Sequence, residues 1–336
     1  MADPILHIKD SYFFEVPKIL WRPSYRSLQE VPKYLQLEQG ADAHLEDYNR
    51  DLAGKILIPQ PFGTLKNLYT AESGFCISKV MIIEVVVAIF LFWAFRKFAS
   101  LIRSDKAPEG KGWNAFEGLV VFVRDGIART AIGPDGDKYV PILGTVFFFV
   151  LILNLVGMLP WIGAATGAFS LTLTLAVFML LHAIYAGSKS LGVIGFWTNM
   201  IPKLDLPLWL FPLKIAICLI IFVVEVIGLF IKHGVLGVRL LANIVAGHLV
   251  LTAILGLIAS GASLSFPLWG TVAVMASLAA ATMSVLELGV CFLQAYIFTF
   301  LAAVWLASVI HSHGDHGHDH GDDHDHAHGH QPGHAH

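Results

Sequence analysis

Apolar positions in this 336-residue chain gather into long unbroken runs rather than the spaced stripes of soluble helices. The runs are Ile77–Phe98, Val140–Trp161, Phe169–Ala186, Leu206–Ile231, Val235–Ser260 and Leu268–Ile310. Each approaches or exceeds the roughly 20 apolar residues that cross a bilayer. Only KHG (232–234) separates the fourth run from the fifth. That stretch is therefore either two spans broken at KHG or one helix through about 55 residues, which at about 1.5 Å per residue is ~80 Å long against a ~30 Å hydrocarbon core. Leu268–Ile310 is oversized too, and GASLSFP (261–267) separates it from the stretch before. Two successive overlong segments predict a steeply tilted helical hairpin. Lipid offers backbone groups no partners, so the fold class is all-α, a polytopic membrane protein.

The flanks have a different texture. Residues 1–72 form a polar arm interrupted by Pro4, Pro17, Pro23, Pro32, Pro59 and Pro61. Its Tyr12-Phe13-Phe14, Trp21 and Tyr34 predict packed short helices and extended pieces on one membrane surface. Arg96, Lys97, Arg103 and Lys106 follow the first span, which places its C-terminal end on the positive-inside face. Trp113–Ile132 has a broad apolar face and a polar strip of Glu117, Arg124, Asp125 and Arg129, the pattern of an interfacial amphipathic helix. GPDGDKYVP (133–141) is a turn, after which Val140–Trp161 and Phe169–Ala186 read as a membrane hairpin. The chain thus divides into an arm (1–72), a membrane domain (73–310) and a His/Asp-rich tail (311–336) whose composition cannot build a core.

Composition narrows the classes further. With 56% hydrophobic and 14% charged residues the chain is not a soluble domain. A formal charge of −3 is nearly neutral and says little about partners; no nucleic-acid partner is expected. Cys76, Cys218 and Cys291 have unrelated spacings and give neither a disulfide framework nor a metal quartet. The start, MADPILHIKD, lacks the apolar core of a secretory signal. In the tail, His311, His313, His316, His318 and His320 are candidate metal groups, though no ligand spacing fixes a geometry. A solvated extension is the plainer reading.

Candidate chemistry lies inside the apolar runs, where ionisable residues are costly. The overlong pair carries Glu225, Lys232, His233, Arg239, Asn243, His248, Glu287 and Gln294. Glu225 and Arg239, 14 positions apart, fall within roughly 40° on a helix, and Asn243 is one turn beyond Arg239. Glu225 also has Lys232 seven residues on, an alternative structural pair. Facing residues in an antiparallel hairpin have nearly constant position sums. Arg239 with Gln294 gives 533 and His248 with Glu287 gives 535, so one register serves both pairs. The result is a fixed cation beside an amide, with a titratable His–Glu pair about two turns away: the layout of a proton site. His248 lies near 180° from Arg239 on an ideal helix, which a kink at Gly247 or a path winding between helices would reconcile. His182 and Glu84 are single polar points, read as structural. The small residues Gly234, Gly237, Ala242, Ala246 and Gly247 mark close helix approach and an open flank for another subunit.

GVRLLANIVAGHLV (237–250), with ELGVCFLQAYIF (287–298) and GPDGDKYVPILGTVFFFVLILNLVGMLP (133–160), resembles the subunit a family of F-type ATP synthases. The resemblance covers roughly 77–310, with the arm and the tail outside it. It places the family's arginine on Arg239, its asparagine on Asn243 and its glutamine on Gln294. Bacterial members usually carry the acid after Ala-Gly and the histidine before the glutamine; here they are exchanged as His248 and Glu287, the mitochondrial arrangement. The resemblance therefore implies a multi-pass protein of the mitochondrial inner membrane. It further implies a non-catalytic stator subunit, without cofactor, that forms two proton half-channels beside the c-ring and contacts lipid, a peripheral stalk and other membrane subunits. His248 and Glu287 would line one channel and Glu225 the other, with Arg239 between them. The competing reading is a proton- or metal-coupled secondary transporter, which predicts internal repeats that the chain lacks.

Overall fold

The computed structural model of the chain describes residues 10–16, 25–27, 30–32, 34–35, 45–103, 110–159, 162, 165–199, 201, 211–261 and 265–311. The first segments build a small β unit. Strand β1 (Phe13–Glu15) pairs antiparallel with β2 (Lys55–Leu57), and helix α1 (Leu45–Asp51) lies between them in sequence. A hairpin of β3 (Phe62–Asn67) and β4 (Thr70–Phe75) follows, and an isolated bridge ties Leu35 to Leu65. Phe13, Leu35, Leu52, Leu65 and Leu68 form its core, which explains the arm's aromatic content. The unit's last strand ends at Phe75. It is tied to the first long helix: Lys79 N–H donates to Ser11 O at 2.9 Å, and Gln60 bonds both backbone groups of Ile77.

That helix, α2 (Lys79–Arg103), has 25 residues, a crossing length. A nearly continuous helix then runs through α3 (Lys111–Val121), a π-helical stretch (Phe122–Ala128) and α4 (Arg129–Ile132). Its Val123, Ile127, Ala128 and Ile132 are buried while Arg124, Asp125 and Arg129 are exposed, so the expected amphipathic division is present. Arg129 binds Asp137 with two nitrogens, at 2.8 and 2.6 Å, and fastens this helix to the turn Pro134–Tyr139.

Four more long helices complete the chain: α5 (Val140–Gly157), α6 (Phe169–Leu191), α8 (Phe211–Ser260) and α9 (Phe266–His311), with the short α7 (Val193–Asn199) after α6. The stretches Pro134–Gly157, Phe169–Lys189, Leu213–Ser260 and Phe266–Ala307 are each long and apolar enough to cross a membrane. Of the two alternatives at KHG, the unbroken helix is the one that forms. With no proline between Leu213 and Ser260, α8 is one helix of 50 residues; Pro212 sits in its first turn, where proline removes no needed hydrogen bond. The same holds for Pro267 and the 46-residue α9. At helical rise these are about 75 and 70 Å long.

The two helices of the expected α5–α6 hairpin both pack on α9. Helix α9 packs against α5, α6 and α8, while α5 packs on α2. Helix α5 carries a wide buried face, with Phe147, Val150, Leu153 and Asn154 on it, that more than one neighbour is needed to cover. Helices in lipid gain association mainly from close packing. Helices α6 and α8 come close at Gly237, where a Cβ would lie 2.7 Å from the Thr172 carbonyl oxygen and 3.1 Å from the Ala176 methyl. Backbone cannot yield as a side chain can. Gly237→Ala is expected to destabilise the α6–α8 contact by about 1–3 kcal/mol, read as a lower melting temperature of the purified protein. Gly228→Ala, a site with no neighbour within 4 Å, should leave it unchanged or slightly raised.

Candidate functional site

The site is built where α8 lies on α9. Along α8 the buried positions are Leu229, His233, Leu236, Gly237, Leu240, Ile244 and Gly247, a single stripe with helical spacing. The buried stripe of α9 includes Glu287, Cys291, Gln294, Ala295, Phe298 and Ala302. The two stripes meet antiparallel. His233 packs edge-on against Trp305 with ring centroids 5.2 Å apart, and Ile244 shares a cluster with Cys291. Gly247 lies directly over Glu287, so that a Cβ there would be 2.5 Å from Oε1. The position sums of these contacts, 538, 535 and 534, fall close to the register deduced from the polar pairs. Near the hairpin's tip, Trp269 Nε1 donates to Ile258 O at 3.2 Å.

This geometry removes the conflict between Arg239 and His248 without a kink. The stripe that meets α9 runs between them: Arg239 stands about 100° from its centre on one flank and His248 about 75° on the other. Arg239 is exposed and, among the described residues, has no hydrogen-bond or ion-pair partner. Glu287 and Gln294 are each only 4% exposed, so α9 buries its acid and amide against its neighbours.

Five polar atoms here are buried without a hydrogen-bond partner: Asn243 Nδ2, His248 Nε2, Glu287 Oε1, Gln294 Nε2 and Asn154 Oδ1. His248 and Glu287 are thus neighbours across Gly247 and not a direct hydrogen-bonded pair. Arg239 and Gln294 share the register but no hydrogen bond. Each unmet buried group costs about 1–3 kcal/mol, so the cluster is a place for water, which bonds two to four polar groups at once. His182 on α6 has the same feature at Nε2.

Asn154 was missed in the sequence. It is fully buried on α5, and its Nδ2 donates to Cys291 O at 3.5 Å, within a turn of both Glu287 and Gln294. The available signal was an amide inside a helix otherwise nearly devoid of polar side chains. Glu225, by contrast, is half-exposed and paired with Lys232 Nζ at 3.5 Å, the alternative its spacing allowed. No metal-binding group of three His, Cys, Asp or Glu occurs among the described residues. Of the tail histidines, His311 ends α9, and His313, His316, His318 and His320 lie outside the described residues.

Residues 78–307 match the family described as ATP synthase A chain. The chain belongs to that family. Similar proteins named ATP synthase subunit a include one from Anaeromyxobacter sp. (strain Fw109-5), 35% identical over 314 residues, 92% of this chain and 70% of the relative. Another, from Myxococcus xanthus (strain DK1622), is 38% identical over 239 residues, 70% of this chain and 72% of the relative. An ATP synthase subunit a 2 from Chlorobaculum tepidum is 34% identical over 268 residues, 77% of this chain and 71% of the relative. The family match leaves out the arm and the tail, as expected, while the alignment to the Anaeromyxobacter protein takes in 92% of the chain and so extends beyond it. These relatives are bacterial and lend no support to a mitochondrial location.

In this subunit a family member the glycine at 247 sets where the Glu287 carboxylate rests. Gly247→Ala is expected to turn that flexible carboxylate aside while leaving assembly intact. Proton conduction through the reconstituted ATP synthase should fall by about tenfold or more, since proton transfer needs hydrogen-bond reach. Unchanged conduction would show that the carboxylate's position does not matter.

Proposed function

We propose that this chain is the non-catalytic stator subunit of a rotary ATP synthase, conducting protons along the α8–α9 contact to and from carboxylates carried by an adjacent ring of c subunits. The observation that carries this reading is the contrast on α8: an exposed arginine without a partner among the described residues, beside buried donors and acceptors that are unmet. An arginine on an apolar helix surface costs about 2.5–3.5 kcal/mol or more at membrane depth. A carboxylate from another chain, facing Arg239, offsets that cost.

Each residue then has a role set by its chemistry. Arg239 keeps its charge at all relevant pH values and favours the deprotonated form of a nearby carboxylate. A ring carboxylate approaching it releases its proton, and the fixed positive charge bars protons from passing straight between the two aqueous paths. His248 and Glu287 take up and hand on protons through water at one path, with Asn154, Asn243 and Gln294 orienting that water. Glu225, with Lys232, stands on the other side of Arg239 along α8. It is about 21 Å from Arg239 by helical rise, and His248 is about 13 Å away in the opposite direction. Two access points at different depths with a cation between them suit the two half-channels. Within a ~30 Å core, helices of 50 and 46 residues must lie far from the membrane normal, which lets them skirt a curved ring. The small Ala242 and Ala246, exposed on the Arg239 flank, suit close approach of that ring. The peripheral stalk and other membrane subunits are the remaining partners. The bacterial relatives favour a bacterial energised membrane over the mitochondrial inner membrane that the His248/Glu287 arrangement suggested. The arm, the membrane domain and the tail are proposed to divide near 72 and 310, with the tail a solvated extension.

Arg239→Ala in the assembled complex should abolish ATP-driven proton pumping, measured as quenching of a pH-sensitive dye in vesicles; normal coupled pumping would overturn the proposal. Glu287→Gln should slow proton flow while the complex still assembles. Collapse of the complex in that variant would assign Glu287 a structural part instead.

A further inference from the structure

Away from the α8–α9 contact, α2, α3 and α5 enclose an apolar groove of about 420 Å³. Phe90 and Ala94 of α2, Phe116 of α3 and Leu151, Ile152 and Leu155 of α5 form its walls. The volume lies in the range of about 300–1,000 Å³ typical of ligand sites. Its mouth is built differently from its walls. Trp93 and Trp113 stand there with ring centroids 6.5 Å apart, and the Lys97 ammonium lies over both rings, 5.1 Å from one and 5.2 Å from the other. Arg96 and Arg103 are on the same helix end and Lys111 opens α3. Among the described residues, none of these four cations has an acidic partner.

We propose that this groove holds an acyl chain of an anionic phospholipid, with the headgroup phosphate at Lys97. Charge and depth select this occupant. Tryptophans concentrate at the headgroup level of a membrane, and clustered Lys and Arg at a span's inner end attract anionic lipid. The apolar interior asks for hydrocarbon, and the cationic mouth lacks the counter-charge that a phosphate supplies. The two tryptophan rings, tilted at 46° to one another, hold Lys97 at the mouth, so little side-chain freedom is lost on binding. Leu155 gives the site a structural consequence. It lines the groove on one side and packs against the Ile244–Cys291 cluster on the other, so a bound chain braces the wall beside Asn154.

The test uses the complete ATP synthase in lipid nanodiscs of phosphatidylcholine with increasing brominated phosphatidylglycerol, or with brominated phosphatidylcholine as the neutral control. Bromine quenches nearby tryptophan, and the signal of interest is the fluorescence lost in a W93F/W113F variant. That component should be quenched at about fivefold lower mole fraction of phosphatidylglycerol than of brominated phosphatidylcholine, the effect of one lysine near a headgroup. Lys97→Gln should erase the preference while quenching persists, and Gly112→Leu, which fills the groove, should weaken quenching by both lipids. Equal quenching of the unaltered protein by the two lipids would overturn the proposal in favour of ordinary boundary lipid. Absence of quenching by either would overturn it by showing that a protein segment fills the groove in the complex.

Discussion

The packing of α8 on α9, with Gly247 lying over the Glu287 carboxylate, is the contact on which the membrane domain depends. Lipid provides no hydrophobic force between helices, so α8 and α9 associate through close packing and what they bury must fit. A side chain at 247 would occupy the carboxylate's place. Because it is absent, the carboxylate has room on the buried face of α9, while the meeting of the two buried stripes sets the antiparallel register. Ile244 then meets Cys291 and His233 meets Trp305, and the flanks of α8 are left to carry Arg239 and His248.

Around that contact the protein is unevenly built. The enclosed α5, with Phe147, Phe148 and Leu153 almost inaccessible, supplies a rigid centre in which Asn154 is held without freedom to choose partners. Outward, α8 presents Val223, Val224, Ile227, Phe230 and Val238 to its surroundings. A domain so arranged tolerates several unmet polar atoms at one place because dense packing elsewhere holds the helices together. The β unit adds a separate restraint, closing over the start of α2 through Ser11 and Gln60.

How much of this could be read in advance depended on the kind of signal. Long apolar runs announced the helices, and the polar residues within them announced the site, since so few exist there. Register was recoverable because two independent polar pairs shared nearly one position sum. Whether KHG interrupts α8 was not recoverable: Lys232, His233 and Gly234 resemble a break in composition, yet no proline enforces one. The insertion of α9 between α5 and α6 also left no local mark, because α5 is apolar around its whole circumference in sequence and does not show which face will meet which helix. Asn154 was overlooked because a lone amide in a span is commonly glue between helices, and only the nearness of Cys291 attaches it to the site. The strands of the arm were obscured by prolines and by the brevity of β1 and β2.

The unbroken course of α8 has a metrological consequence. In most proteins the distance between functional groups depends on loops, which adjust. Here Glu225, Arg239 and His248 are graduations on one hydrogen-bonded rod, and their spacing is fixed by helical rise to about 34 Å from first to last. Inserting or deleting one residue between them would change the interval by about 1.5 Å and also rotate everything beyond it by about 100°. The helix is therefore a gauge as well as a wall, and distance and direction along it cannot be altered separately.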